Sequence, residues 1–341
     1  MTVRSKILKK YPKIFVVSSG RSGTTLLISI LNASQQIYFP YESDFIARAY
    51  PFYQQEQNFS RQNYQEIVKF FRETSQPKGW GMTEEYLLSF LKKRAPQTLR
   101  DINTIICEAY HQKQGTEDLM WGIKAPVLIA SIDRILAVYP EAKIIHIVRD
   151  GRDVCLSYKS VHEKSKVKFG PQGVFANALY WVDGLRQVER FHQHQVYEFR
   201  YEDLLKNAEY ELKNLCDFLA IEYDPSMHND FYSQKDNEVI LPERLMKIHD
   251  RVQGNLDPKN TQKYLTKMSK VDRFIFELIA VPYLKKYQYN SEFPFLQIIL
   301  LSPLRQLLYL CARQLNNWRY SQRDRRFYQR AKANSTFDVN D

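Results

Sequence analysis

The sequence predicts an α/β protein in which a central parallel sheet is flanked by helices. Short β-branched runs alternate with longer helical stretches, a pattern that builds βαβ units around a parallel sheet. Residues 14–27, IFVVSSGRSGTTLL, pass from an apolar run through a serine- and glycine-containing turn into a leucine-rich segment. A second apolar run, KIIHIV at 143–148, stops abruptly at Arg149-Asp150-Gly151.

Taken in order, residues 13–18 (KIFVVS) read as a buried strand because they are short and β-branched. A helix is expected over 24–33, starting at the Thr24-Thr25 pair. Further helical stretches follow at 62–75, 83–94, 99–113 and 127–138. The run 143–148 is the second buried strand, with a helix expected over 150–159. Residues 172–192 read as helix. QVYEF at 195–199 is a third strand-like segment, followed by RYEDLLKNAEYELKNLCDFLAI. Beyond about residue 290 the composition shifts to an apolar half and then a basic half, which divides the chain into a domain over 1–290 and an extension over 291–341. Pro303 and Arg305 interrupt the apolar half, leaving it short of the roughly 20 clean residues that a spanning helix needs. Two readings stay open for it: a helix packed on the domain, or an amphipathic basic segment resting on an anionic membrane surface. Arg313, Arg319, Arg323, Arg325, Arg326 and Arg330 form a run opposed only by Asp324.

With 341 residues, 44% of them hydrophobic, the chain can bury a sizeable core as one large or two modest domains. Its net charge of +11 favours an anionic partner such as a nucleotide, a polyanion or a membrane surface. Nucleic acid is not expected, since no recognition motif accompanies the charge. Cys107, Cys155, Cys216 and Cys311 lie far apart and match no zinc or dithiol spacing. Reduced thiols and a start without an apolar leader, MTVRSKILKKYPKIFVV, lead to the expectation of a cytoplasmic protein, peripheral to a membrane if the tail binds one.

The turn at 18–25 has the makings of an anion site. Unpaired N–H groups and the positive end of the helix dipole point out of a helix N-terminus. Gly23 permits the close turn, Ser22, Thr24 and Thr25 add hydroxyls, and Arg21 adds a permanent charge in a planar fork. The nucleoside-triphosphatase loop G-x-x-x-x-G-K-[ST] carries a lysine after its last glycine, whereas Gly23 is followed by Thr24. No apolar strand ends in an Asp pair suited to hold magnesium. A P-loop nucleotide kinase or triphosphatase is therefore the alternative rather than the leading reading. A second anion site is built from Arg149, closing a strand, and Ser157, two helical turns further on. The same Arg-Asp-Gly-Arg could equally form a structural ion-pair corner. Two separated anion sites suit a nucleotide phosphorylated on both its 5′ and 3′ sides.

Together SSGRSGTTLL and VRDGRDVCLSY resemble the two phosphate motifs of the sulfotransferase family. That resemblance covers residues 13 to 290 and implies a three-layer P-loop-like fold. It also implies 3′-phosphoadenosine 5′-phosphosulfate (PAPS) as sulfuryl donor, a hydroxyl-bearing acceptor, and no metal. Arg21, Ser22, Gly23, Thr24 and Thr25 would hold the 5′ side, and Arg149 and Ser157 the 3′-phosphate. Tyr201, in FRYEDLLKN, would lie near the adenine. The likeness is closer to the Golgi-type branch, the tyrosylprotein and carbohydrate enzymes. In that branch a glutamate at the position of Glu42 is the catalytic base, and a lysine at that of Lys124 stabilises the transition state together with Arg21. The C-terminal cofactor loop matches poorly: HDRVQGNLDP offers Arg251 and Gly254, and Tyr264 stands where a tryptophan is usual. A carbohydrate or glycolipid hydroxyl is the first expectation for the acceptor, with Tyr50, Phe52, Tyr53 and Trp80 as stacking candidates, and a peptide tyrosine is the second. His146, inside an apolar strand, reads as a core residue.

Overall fold

The structure is a computed structural model and describes residues 14–55, 59–75, 78–165, 170–191, 196–229, 256–293 and 302–335. Five strands, β1 (Ile14–Val17), β2 (Ile37–Tyr38), β3 (Met120–Lys124), β4 (Lys143–Val148) and β5 (Val196–Arg200), form one sheet. Its order is β2-β3-β1-β4-β5, and every pairing is parallel. The helices are α1 (Thr24–Ala33), α2 (Phe45–Tyr53), α3 (Arg61–Thr74), α4 (Glu84–Arg94), α5 (Leu99–Gln114), α6 (Ile132–Val138), α7 (Gly151–Ser165), α8 (Gly173–Glu189), α9 (Tyr201–Lys206), α10 (Ala208–Leu219), α11 (Ser226–Asn229), α12 (Tyr264–Lys267), α13 (Lys270–Lys286) and α14 (Ser302–Ser335).

The alternation of side chains along a strand sorts β1 between two layers. Phe15 and Val17 pack with α2 to α6, whereas Ile14 and Val16 pack with α1 and α10. Both faces are covered, which is why β1 is apolar throughout and β4 nearly so, with His146 its one interior polar residue. β1 lies between β3 and β4, so the chain leaves it toward one edge and returns on its other side. Ligands of open α/β sheets bind at such a switch point, beyond the carboxyl ends of the strands.

Three local expectations are corrected. β2 and β3 were not anticipated. β3 contains Gly122, where a Cβ would stand 1.8 Å from the Phe39 ring, so the position is kept small by packing and not by a turn. The expected helix over 127–138 is a 3₁₀ segment, Pro126–Ser131, followed by the shorter α6.

The inward face of α14 packs onto the domain. Asp324 is buried there, with oxygens accepting from Arg48 Nη1 at 2.6 Å and Arg134 Nη1 at 3.1 Å. Tyr328 stacks on Phe52 with centroids 4.2 Å apart. Asp324 therefore forms its ion pairs with arginines of other elements. Tyr53 and Trp80 are also core residues, 3% and 4% exposed. Trp80 Nε1 donates to the Tyr41 carbonyl at 3.0 Å. Neither ring is available for stacking on an acceptor. Removing one partner of a buried ion pair costs about 3–5 kcal/mol. Asp324→Ala is expected to lose on that order, read from the urea midpoint at unchanged slope; full stability would show that α14 does not depend on this contact.

Candidate donor and transfer site

The carboxyl ends of β1, β3, β4 and β5 bring Ser18 to Thr25, Lys124, Arg149 and Tyr201 to one rim of the sheet. The loop after β1 turns through left-handed backbone at Gly20, Arg21 and Gly23. Ser18 Oγ accepts from the Gly20 N–H at 3.0 Å, and the Ser22 hydroxyl donates to the Gly20 carbonyl at 3.1 Å. Ser18 and Ser22 thus brace the turn from inside. Gly23 is the N-cap of α1, with no capping side chain and no acidic residue in the first turn. The amides of Thr24 and Thr25 open that helix, where the dipole favours an anion.

The two basic motifs touch each other. Arg21 Nε donates to Ser157 Oγ at 3.1 Å, and Arg149 Nη1 donates to the Arg21 carbonyl at 3.1 Å. Burial lowers the pKa of the Arg21 guanidinium, and Arg149 adds to the effect while Tyr158 and Glu42 oppose it. Arg149 lies over the Tyr201 ring, 4.7 Å from its centroid, and Nη2 donates to the Asn260 carbonyl at 3.0 Å. Its Nε is buried with no hydrogen-bond partner among the described residues. An orphaned buried donor on a permanent cation is the feature a bound phosphate would satisfy.

Lys124, at the end of β3, is completely buried, and its Nζ donates to Glu42 Oε1 at 2.7 Å. The ammonium also lies 5.0 Å from the Tyr41 ring centroid. The Glu42 side chain keeps 27% exposure, so one end of the pair faces outward. Asp44, not Glu42, is the N-cap of α2.

A buried network stands behind these groups. Arg152 donates to Asp150 at 2.7 Å and to Glu277 Oε1 at 2.6 Å, and lies 3.8 Å from the Tyr264 ring centroid. Asp150 N–H donates to Glu202 Oε1 at 3.0 Å, and Tyr289 donates to Glu202 Oε2 at 2.8 Å. The Arg-Asp-Gly-Arg corner therefore contains the structural ion pair that the sequence allowed. Asp150 and Arg152 form the structural pair, and Arg149 faces the rim. His146 is buried, as expected, with Nδ1 2.7 Å from Glu198 Oε2.

Arg251 lies in 230–255, outside the described residues. Sequence reasoning missed two neighbours of the site. Tyr158, beside Ser157, donates to the Ser19 carbonyl at 3.2 Å, and its hydroxyl closes over Gly20, where a Cβ would stand 2.2 Å away. An aromatic residue in a helix gives no signal of that role. Asn260 donates to the Tyr201 hydroxyl at 2.8 Å while its carbonyl takes Arg149; a lone asparagine among loop residues is equally silent.

A sequence model of the sulfotransferase family matches residues 12–225. The chain belongs to the sulfotransferase family. The match ends before the described residues 256–293, which supply Asn260 and Glu277. Among solved structures, the sulfotransferase domain from the olefin synthase of Synechococcus PCC 7002 is similar, with 19% identity and a TM-score of 0.56 over 84% of this chain and 96% of that one. The sulfotransferase domain from the curacin biosynthetic pathway is similar at 18% identity and a TM-score of 0.52, over 82% of this chain and 99% of that one. Both likenesses concern the fold, which is the P-loop-like sulfotransferase fold. An uncharacterised protein of Aquifex aeolicus (strain VF5) is 26% identical over 288 residues, 81% of this chain and 34% of that protein. The chain thus spans about a third of that relative's length.

Gly23 tests the cradle. A Cβ there would stand 2.4 Å from the Tyr201 ring at φ +93°, whereas Gly173 has φ +76° with nothing within 4 Å. Strained backbone of this kind costs about 1–3 kcal/mol. Gly173→Ala is expected to show that cost alone. Gly23→Ala should add a loss of anion binding, measured by calorimetry with adenosine 3′,5′-bisphosphate; equal behaviour of the two variants would remove Tyr201 from the cradle.

Proposed function

We propose that the protein transfers a sulfuryl group from PAPS to an acceptor hydroxyl. The observation that carries this reading is the direct contact between the two basic motifs, Arg21 to Ser157 and Arg149 to the Arg21 carbonyl. It sets an uncapped helix N-terminus and an orphaned guanidinium donor side by side. Such a pair fits a nucleotide charged at both its 5′ and 3′ positions. The donor supplies an electrophilic sulfur whose bond to the 5′-phosphate breaks as the acceptor oxygen bonds to it. Glu42 takes the acceptor's proton. Arg21, Lys124 and the amides of residues 22–25 neutralise charge on the departing phosphate and the transferred oxygens, which is positioning and electrostatics rather than covalent catalysis. Arg149, Ser157 and Tyr201 fix the 3′ side. These cations supply the charge that a metal supplies in phosphoryl transfer, so no metal enters the scheme. The Glu42–Lys124 pair also supports kinship with the Golgi-type branch.

For the acceptor, a carbohydrate or glycolipid hydroxyl is favoured over a peptide tyrosine. A cavity of about 340 Å³ reaches Asp44, two residues beyond Glu42, and its walls include Ser131, Arg190, Asn317 and Tyr320. Walls rich in hydrogen-bonding groups suit a polyhydroxylated molecule better than a phenol.

The first test is thermal denaturation with adenosine 3′,5′-bisphosphate in EDTA, beside ATP with magnesium. A ligand at about 100 times its dissociation constant adds about 2.7 kcal/mol of stability. A shift with the bisphosphate alone is expected, whereas a shift with magnesium-ATP alone would transfer the reading to a nucleotide kinase. Arg149→Ala should weaken the bisphosphate far more than adenosine 5′-phosphate, and equal weakening would sink the 3′ assignment. Glu42→Gln should slow transfer by about 10²–10⁴-fold, the usual worth of a general base, and leave bisphosphate binding intact. Simultaneous loss of binding would remove Glu42 from the proton-transfer role.

A further inference from the structure

The outward face of α14 has no partner among the described residues. Leu304, Leu307, Leu315 and Trp318 are 51%, 58%, 47% and 61% exposed, and Cys311 between them is exposed as well. Steps of three and four residues align these five side chains along one face of a helix. Tyr309, Asp324 and Ala331 are buried on the opposite face, so the stripe points away from the body of the protein. Isolated exposed leucines need no explanation, but a contiguous apolar stripe does.

The charge around the stripe selects its occupant. The 34 residues of α14 include eight Arg or Lys and a single acidic residue, Asp324. That one carboxylate is buried against Arg48 and Arg134, so nothing acidic is presented outward. Past Trp318 the same outward face continues with Arg325 and Arg326, both exposed. Apolar side chains, a tryptophan and arginines on one convex face are what an interfacial helix lays into the headgroup region of an anionic bilayer. No described helix is long and apolar enough to cross a membrane, which fits a helix lying on the surface.

We propose that α14 docks the protein on an anionic lipid bilayer through Leu304, Leu307, Leu315 and Trp318, with Arg325 and Arg326 meeting the headgroups. This proposal is independent of the sulfuryl-transfer reading. Because Asp324 and Tyr328 anchor the helix, removing the tail would unfold the contact along with the surface, so substitutions on the outward face are the sharper probe.

The test is flotation of the full chain with phosphatidylcholine vesicles with and without phosphatidylglycerol. Binding to the anionic vesicles is expected, falling as salt rises. The triple variant Leu307→Gln, Leu315→Gln, Trp318→Gln should bind roughly tenfold more weakly or worse, since affinity scales with buried apolar area. Its thermal melt should match that of the unsubstituted chain. Trp80, Trp121 and Trp181 are buried, at 4%, 0% and 0% exposure, so quenching of tryptophan emission by brominated lipid reports Trp318 in the unsubstituted protein. Absence of flotation, equal flotation of the triple variant, or unquenched emission would overturn the proposal. So would a concentration-dependent dimer that the triple variant abolishes without any vesicle binding, which would give the stripe to a second copy of the chain.

Discussion

A fully buried guanidinium, that of Arg152, is the group on which the candidate site depends. A charge withdrawn from water is tolerated only when paired and fully hydrogen-bonded. Here the partners come from far along the chain: Asp150 at the end of β4, Glu277 on α13, the Asn290 carbonyl and the face of Tyr264. Satisfying one cation therefore fastens the C-terminal helices to the rim of the sheet. The same cluster reaches α9, which follows β5, through the bond from the Asp150 amide to Glu202. Arg149 and Tyr201 each sit one residue from a member of this network, so the anchored residues turn inward while their neighbours turn toward the rim.

That division explains how a rim rich in arginine stays ordered. Arg21 donates to a serine hydroxyl, and Arg149 to two backbone carbonyls. These bonds fix the direction of each guanidinium. Glu42 and Lys124 differ, since the lysine is wholly buried and only the carboxylate reaches outward. The pair sets a carboxylate beside a buried ammonium, while the loop after β1 presents backbone amides and a guanidinium. The loop after β1, the Glu42–Lys124 pair and Arg149 thus meet at one rim of the sheet.

α14 couples this site to a second surface. Its inner face supplies Asn317, Tyr320 and Asp324 to the cavity near Asp44, and its outer face carries the apolar stripe. One helix thus borders both this cavity and the proposed bilayer contact.

The sequence by itself determined three of the five strands, β1, β4 and β5, most of the helices, and the two basic motifs that the fold brings into contact. These are local patterns: β1 and β4 are buried on both faces and so are mostly apolar, and each motif lies within a dozen residues of its strand. Tertiary structure decided the rest. β3, MWGIK, has a glycine that only the approach of Phe39 explains, and its extended form comes from pairing with β1 and β2. The Glu42–Lys124 bond joins residues 82 apart, and Asn260 reaches Arg149 across 111; spacing along a chain does not encode such distances. The tail was legible as apolar and basic, but which face would turn inward was set by Asp324 finding Arg48 and Arg134. A single charge seeking burial with its partners oriented the whole helix, and no reading of that helix alone contains them.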